Sequence, residues 1–142
     1  MTILIINGPN LNMLGKRNPE VYGTETLEDI EKMIEGYADE KGIRTEFFHS
    51  AHEGALVEKL NEAYGKYDGV IINAGAYTHY SYAIRDAIEI LKVPVIEVHL
   101  SDIHAREAFR NISVIEPVCT KQIAGFGSKG YLMAVDAILE GK

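Results

Sequence analysis

The stretch DGVIINA, residues 68–74, is a short apolar run that ends at an amide and a small residue. Its length and composition indicate a strand that is buried on both faces. The next segment, SYAIRDAIEILK (81–92), has apolar residues at helical spacing, and VPVIEVHL (93–100) is a second continuous apolar run. A strand, a helix and a strand in succession form the repeating unit of a parallel sheet. This stretch therefore predicts an α/β fold.

The same alternation extends in both directions along the chain. Further strands are predicted at TILII (2–6), IRTEFFH (43–49) and ISVIEPVC (112–119), and further helices at residues 26–42, 53–66 and 130–140. Thr26 with Asp29 suits the start of the first of these helices, and Gly42 suits its end. Five apolar strands separated by helices predict one domain, a doubly wound parallel sheet covered on both faces.

Composition disfavours several classes of protein. The chain has 142 residues and a net charge of -7, and nucleic-acid binding would need clustered basic residues that it can hardly spare. No apolar stretch approaches the roughly 18 residues of a membrane span, and the apolar start is predicted to be a strand rather than a signal peptide. Because Cys119 is the only cysteine, no internal disulfide can form, and a reducing, cytoplasmic compartment is expected.

The predicted architecture also indicates where a ligand would bind. In open parallel sheets, ligands bind beyond the carboxyl ends of the strands, where the strand order reverses. If the order is 2-1-3-4-5, this crevice lies between the first and third strands. Its walls would be residues 7–23, 73–79 and 97–104, which are also the segments with the most polar and turn-forming residues.

Two side chains at the end of the fourth strand suggest acid–base chemistry. A lone histidine such as His99 would more often be structural, with its ring bonded to a backbone carbonyl. Glu97, however, lies two residues earlier, and side chains at this spacing share one face of a strand. A carboxylate beside the imidazole favours its protonated form, which suits a general acid.

The long polar loop after the first strand holds a second candidate pair, Arg17 and Tyr22. Arg17 could be a solvated charge, and Tyr22 an apolar anchor for the loop. Alternatively, a guanidinium in a water-poor cleft lowers the pKa of a nearby tyrosine. Each pKa unit of this lowering requires about 1.4 kcal/mol of differential stabilisation. Tyr22 would then be a general base.

Three apparent motifs point elsewhere and are not supported. GFGSKG (125–130) matches a dinucleotide-binding pattern but comes too close to the end of the sequence for the required second strand. GPNLNMLGK (8–16) has the wrong glycine spacing for a phosphate-binding loop, and Arg17 stands where Ser or Thr is needed. Two pairs of histidines, His49 with His52 and His99 with His104, lack the additional ligands that a zinc site requires. We expect no metal.

Several motifs together resemble one enzyme family. GPNLNMLGKR, PEVYG, HEGALVEKL, INAGAYTHYS, EVHLS and GFGSKGY, in this order and spacing, are similar to the type II 3-dehydroquinate dehydratases of the shikimate pathway of aromatic amino acid biosynthesis. The resemblance extends from Ile3 to about Ala137. It implies a flavodoxin-like fold in a single catalytic domain, a homo-dodecamer built of trimers, and no cofactor. It also implies the dehydration of 3-dehydroquinate to 3-dehydroshikimate through an enolate intermediate.

The resemblance assigns catalytic roles to residues that match the family's motifs. Tyr22 resembles the base that removes a proton beside the substrate ketone, and Arg17 the residue that keeps this tyrosine ionised. Asn10 resembles the residue that holds a water against the enolate. His99, supported by Glu97, resembles the acid that protonates the departing hydroxyl. The loop that carries Tyr22 would close over the substrate as a lid.

Further positions match the family's substrate contacts. Asn73, His79 and Arg110 resemble residues that hold the ring hydroxyls. Leu100 and Ser101 resemble the segment that contacts the carboxylate. Asp86 resembles a residue that reaches into the site of a neighbouring subunit.

The sequence departs from the family's usual pattern at Asn18, His49 and Ala51, none of which is a proposed catalytic group. A phosphate-binding flavodoxin-like module and a phosphoacceptor receiver fit the strand ends poorly, whereas a noncatalytic assembly subunit remains open. A Schiff-base mechanism through Lys16 is a further alternative. Arg17 cannot both activate Lys16 and pair with an ionised Tyr22, so the enolate mechanism is favoured.

Overall fold

A computed structural model describes residues 1–16, 20 and 23–141 of the chain. In this part of the chain, five parallel strands form one sheet. They are β1 (Thr2–Asn7), β2 (Arg44–His49), β3 (Gly69–Asn73), β4 (Val95–His99) and β5 (Lys121–Ala124). The strand order is β2-β1-β3-β4-β5, so the predicted order 2-1-3-4-5 is confirmed and the order reverses between β1 and β3.

Helices cover both faces of this sheet, as predicted. They are α1 (Leu27–Glu40), α2 (Glu53–Glu62), α3 (Tyr82–Ile90) and α4 (Lys129–Glu140). Alternate side chains of the strands point to opposite faces. One face packs against α2 and α3, and the other packs against α1 and α4. This doubly wound arrangement is that of flavodoxin-like folds. None of the described helices is long and apolar enough to cross a membrane.

The ends of α1 follow from local sequence. The Thr26 side chain accepts a hydrogen bond from the Asp29 backbone N–H at 3.1 Å, and the Asp29 carboxylate accepts one from the Thr26 N–H at 3.0 Å. This reciprocal capping box satisfies two N–H groups that the helix leaves unpaired. At the other end Gly42 has a φ of +73°, which lets the Ile43 N–H bond back to the Ala38 carbonyl. Both predicted helix boundaries are thereby confirmed.

The predicted fifth strand, residues 112–119, is wrong. The apolar residues Val114 and Ile115 are buried in the core beside α2 and α3, so this segment packs across a face of the sheet instead of joining its edge. It then turns through the 3₁₀ helix Glu116–Val118, where a proline lacks the N–H that a strand ladder requires. The edge strand is β5. Its sequence gives little apolar signal, because only Ile123 is buried and the other three residues are more exposed.

Thr26→Ala should destabilise the protein by about 1 kcal/mol, because it removes the side-chain oxygen that caps α1. Urea denaturation monitored by circular dichroism would measure this change. Thr24→Ala is a matched control, since Thr24 is exposed and lies just outside the helix. Equal stability of both variants would contradict a capping role for Thr26.

Candidate functional site

The loops that follow β1 and β3 touch each other at the reversal point. Asn7 and Asn73 are partners in the strand register, and the Gly8 N–H donates to the Asn73 carbonyl at 2.8 Å. A Cβ on Gly8 would lie only 2.6 Å from the Ala74 carbonyl oxygen, so no larger residue fits without moving the backbone. This contact forms the floor of the expected crevice.

Asn10 lies just beyond this floor in a left-handed conformation. Its φ of +72° is the only positive value of a non-glycine residue in the described part of the chain. Asparagine tolerates this conformation better than most residues. The Asn10 carbonyl accepts the Met13 N–H at 3.0 Å, while its exposed side chain makes no capping bond to the 3₁₀ helix Leu11–Met13. Its amide is therefore available to a ligand.

Glu97 and His99 form a buried pair at the carboxyl end of β4. Glu97 has no exposed surface and His99 is 5% exposed. Glu97 Oε2 accepts a hydrogen bond from His99 Nε2. The predicted pairing across one face of the strand is thus confirmed as geometry, and the second ring nitrogen of His99 has no partner among the described residues.

Two hydroxyl groups complete the surroundings of the Glu97 carboxylate. Thr78 Oγ1 donates to Glu97 Oε2 at 2.8 Å, and Ser113 Oγ donates to the same oxygen at 2.7 Å. Burial raises the pKa of Glu97, but the hydrogen bond and charge of His99, together with the hydrogen bonds of Ser113 and Thr78, leave this pKa below its usual range. Glu97 therefore remains an anion beside His99 at neutral pH.

Sequence reasoning missed both Thr78 and Ser113. They are 19 and 16 residues from Glu97 along the chain, too far apart for any spacing rule to connect them. Ser113 was also concealed in the wrongly predicted fifth strand. Thr78 lies inside the INAGAYTHYS motif, so a search for hydroxyl groups near the predicted crevice would have found it.

A second polar cluster lies on the opposite face of the sheet. Asn7, Asn73 and Tyr131 of α4 are all buried. The Tyr131 hydroxyl donates to Asn7 Oδ1 at 2.6 Å and accepts a hydrogen bond from Asn73 Nδ2 at 3.2 Å. Asn73 Oδ1 in turn accepts the Gly75 N–H at 3.1 Å. Sequence reasoning placed Asn73 at the crevice but missed Asn7 and Tyr131 as its supports.

Other predicted contacts lie on the segments that follow β3 and β4. His79 Nδ1 bonds to the Ile112 carbonyl at 2.8 Å, so its ring is held against the chain that carries Ser113. Leu100 is half-buried and Ser101 exposed, directly after His99. Arg110 is half-buried in the 3₁₀ helix Ala108–Arg110. This helix packs against another 3₁₀ helix, Gly75–His79, which ends at His79.

Arg110 already has a partner in this structure. Its Nε lies 2.6 Å from Glu107 Oε2, and its guanidinium stacks over Phe109. Both neighbours are on the same short segment, so the guanidinium is held locally and close to the crevice. A polar ligand would compete with Glu107 for the charge of this guanidinium.

Asp86 is the one predicted site residue among the described residues that is not brought together with this cluster. Asp86 is exposed on α3, between the exposed side chains of Tyr82 and Ile90 one turn away on either side. Arg17 and Tyr22 lie outside the described residues, as does Asn18. Of the other two departures from the family's pattern, His49 ends β2, and the Ala51 carbonyl accepts a hydrogen bond from the Tyr77 hydroxyl at 3.0 Å.

Glu97→Gln should weaken the loss of stability in acid. Because the folded pKa of Glu97 is below its ordinary value of 4.5, the carboxylate stabilises the fold above that pH, and this contribution disappears as the pH falls through the folded pKa. Between about pH 5 and about pH 3, the unfolding free energy should therefore fall less steeply in the variant than in the wild type. Urea titrations across this range measure both slopes, with exposed Glu58→Gln as the control. Identical slopes for Glu97→Gln and the wild type would contradict this account.

Comparison with known proteins places the whole chain in one group. The family described as Dehydroquinase class II matches residues 1–139. The 3-dehydroquinate dehydratase of Caldicellulosiruptor bescii is 55% identical over 139 residues, which is 97% of this chain and 96% of that protein. That of Bacillus licheniformis is 57% identical over 135 residues, or 94% of this chain and 92% of the relative.

A solved structure agrees with the sequence comparisons. The crystal structure of the type II dehydroquinase from Butyrivibrio crossotus is 53% identical and has a TM-score of 0.94, covering 98% of this chain and 97% of that one. The match therefore includes the sheet, both helical layers and the segments around Glu97 and His99. With a family match over nearly its full length and more than half of its residues shared with these relatives, the chain belongs to the class II dehydroquinase family.

Proposed function

We propose that this chain dehydrates 3-dehydroquinate to 3-dehydroshikimate through an enolate, with Tyr22 as the general base and His99 as the general acid. Membership of the family supports the overall reaction. The single observation that supports the mechanism most directly is the buried Glu97–His99 pair at the carboxyl end of β4. We place the enzyme in the cytoplasm, in keeping with its unpaired Cys119.

The acid step follows from the geometry of this pair. An anionic Glu97, held by Thr78 and Ser113, accepts the hydrogen bond of His99 and fixes the orientation of the ring. His99 then gives a proton to the departing hydroxyl as the carbon–oxygen bond breaks. Because Glu97 keeps its charge throughout, the pair is ready to accept a proton from solvent for the next turnover.

The base step belongs to the loop after β1. Tyr22 removes the proton beside the ketone, and the guanidinium of Arg17 stabilises the phenolate. The electrons released at carbon move onto the ketone oxygen, and the Asn10 amide holds a water that donates to this enolate oxygen. The exposed, left-handed Asn10 supports this role, since its side chain is not used to cap its own helix.

Substrate orientation is assigned to the rim of the crevice. Asn73, His79 and Arg110 contact the ring hydroxyls, and the Leu100–Ser101 segment contacts the carboxylate. The half-buried positions of His79 and Arg110, each already fixed by a neighbour, support their use as preorganised contacts. All groups in this mechanism are side chains or water, so it requires neither cofactor nor metal.

A covalent route through Lys16 receives less support. A nucleophilic lysine needs a depressed pKa, obtained by burial or by a cationic neighbour. Lys16 is exposed, so it lacks the apolar surroundings that such a nucleophile needs. The proposed pairing of Arg17 with Tyr22 removes the other source.

Assembly is part of the proposal. Tyr82, Asp86 and Ile90 are spaced four residues apart and form one exposed face of α3, in which two apolar side chains flank a carboxylate. This face suits an interface between subunits, which would carry Asp86 to the site of a neighbour. We infer a trimer as the functional unit and a homo-dodecamer of such trimers.

The purified protein should convert 3-dehydroquinate to a product with the ultraviolet absorbance of a conjugated enone. Tyr22→Phe should keep the fold and substrate binding but lower kcat by several orders of magnitude, because only the ionisable hydroxyl is removed. Tyr64→Phe, at an exposed position beyond α2, is the matched control. Absence of enone formation by the wild type would refute the proposed reaction, and near-normal turnover of Tyr22→Phe would refute the assignment of the base.

The proposed role of Asp86 can be tested by mixing inactive subunits. Asp86→Ala and Tyr22→Phe should each have low activity alone. After the two variants are dissociated and reassembled together, activity should return, because some sites combine an intact Tyr22 with an intact Asp86 from a neighbour. Light scattering would establish the size of the oligomers, and the same mixture without dissociation is the control. If Asp86 acts within its own subunit, no activity will return.

A further inference from the structure

Tyr131 lies where a polar side chain is costly unless it is fully bonded. It has no exposed surface and is packed among the apolar side chains between α4 and the sheet. Its hydroxyl nevertheless reaches the carboxyl ends of β1 and β3, where it bonds to Asn7 and Asn73. Burial raises the pKa of Tyr131 far above its ordinary value, so the hydroxyl keeps its proton and remains a donor.

The direction of each hydrogen bond follows from one backbone group. The Gly75 N–H can only donate, so Asn73 must present Oδ1 to it and turn Nδ2 toward Tyr131. The Tyr131 oxygen accepts that bond, and its single proton goes to Asn7 Oδ1. The chain of bonds thus has one consistent polarity from Gly75 to Asn7.

This arrangement leaves an uncompensated group at its far end. Asn7 Nδ2 is buried without a partner among the described residues, and an unpaired buried donor destabilises the fold. An apolar side chain at residue 7 would avoid this cost. The presence of an asparagine is explained if its oxygen is needed to hold the Tyr131 proton and so keep the tyrosine oxygen as the acceptor for Asn73.

We propose that Tyr131 is a positioning residue that fixes the orientation of the Asn73 amide, so that this amide offers its second N–H to the substrate. The inference rests on the proposed function, which makes Asn73 a contact of a ring hydroxyl. It adds a specific chemistry to that contact: Asn73 Oδ1 already accepts the Gly75 N–H, and the N–H of Nδ2 that Tyr131 does not use is the donor to the substrate hydroxyl. Tyr131 itself touches no reacting atom.

The test is a double-mutant cycle of Tyr131→Phe and Asn73→Ala. If Tyr131 acts through Asn73, Tyr131→Phe should raise KM about tenfold with little change in kcat, because a loosely held amide loses uniform binding. In the Asn73→Ala background the same change should have almost no further effect. Additive losses of kcat/KM would overturn the inference, and so would an unchanged KM in Tyr131→Phe.

A matched control separates positioning from general stability. Tyr37 of α1 also bonds to α4, since its hydroxyl donates to Asp136 at 2.8 Å, but this contact is in the C-terminal half of α4 and does not involve Asn7 or Asn73. Tyr37→Phe should lower the melting temperature without changing KM. If Tyr131→Phe behaves like Tyr37→Phe, with a lower melting temperature and an unchanged KM, the role of Tyr131 is structural and the inference fails.

Binding measured without turnover distinguishes this inference from the proposed function. In the Tyr22→Phe background, calorimetry should give a Kd for 3-dehydroquinate that rises about tenfold on adding Tyr131→Phe, matching the expected rise in KM. An unchanged Kd would contradict the positioning role of Tyr131 without affecting the proposed reaction. Failure of the wild type to form the enone would count against the proposed reaction alone.

Discussion

The carboxylate of Glu97 is removed from water and depends on the protein for every stabilising contact. Three donors converge on its Oε2, from β4, from the 3₁₀ helix after β3 and from the segment before β5. Its Oε1 has no partner among the described residues, so the loss of any of the three donors would leave a poorly compensated buried charge. Three separate parts of the chain must therefore meet at one oxygen atom, and this requirement explains much of the path that the chain follows around β4.

The segment from Ser113 to Val118 shows this constraint most clearly. Its apolar residues fill the core beside α2 and α3, while Ser113 turns inward to the carboxylate and also accepts the Glu116 N–H at 3.1 Å. Ser113, Val114 and Ile115 are consecutive and all face inward. A strand in this place would alternate its side chains between two faces and would turn Val114 away from the core. The segment therefore crosses the sheet, and a much shorter strand closes the edge.

Most of the fold could be predicted because its signals are local. Continuous apolar runs mark β1, β3 and β4, and helical spacing with the Thr26 cap marks α1. β5 could not be predicted, since a four-residue edge strand with one buried side chain has no distinctive pattern. At the site, Glu97 and His99 were accessible through their spacing on one strand. Ser113 and Tyr131 were not, because their contacts join residues that are far apart in the chain and that only the folded sheet brings together. Thr78 lies in a predicted wall of the crevice, but no spacing rule connects it to Glu97.

The two buried polar clusters lie on opposite faces of the same sheet. Glu97 and His99 extend from β4 toward α2 and α3, whereas Asn7 and Asn73 extend toward α4. The layer of backbone between them carries no side chain that belongs to both clusters. A substitution in α4 can therefore alter the cluster around Asn73 without touching a residue that bonds to Glu97. Each face can change in evolution, or be redesigned, while the polar cluster on the other face stays intact.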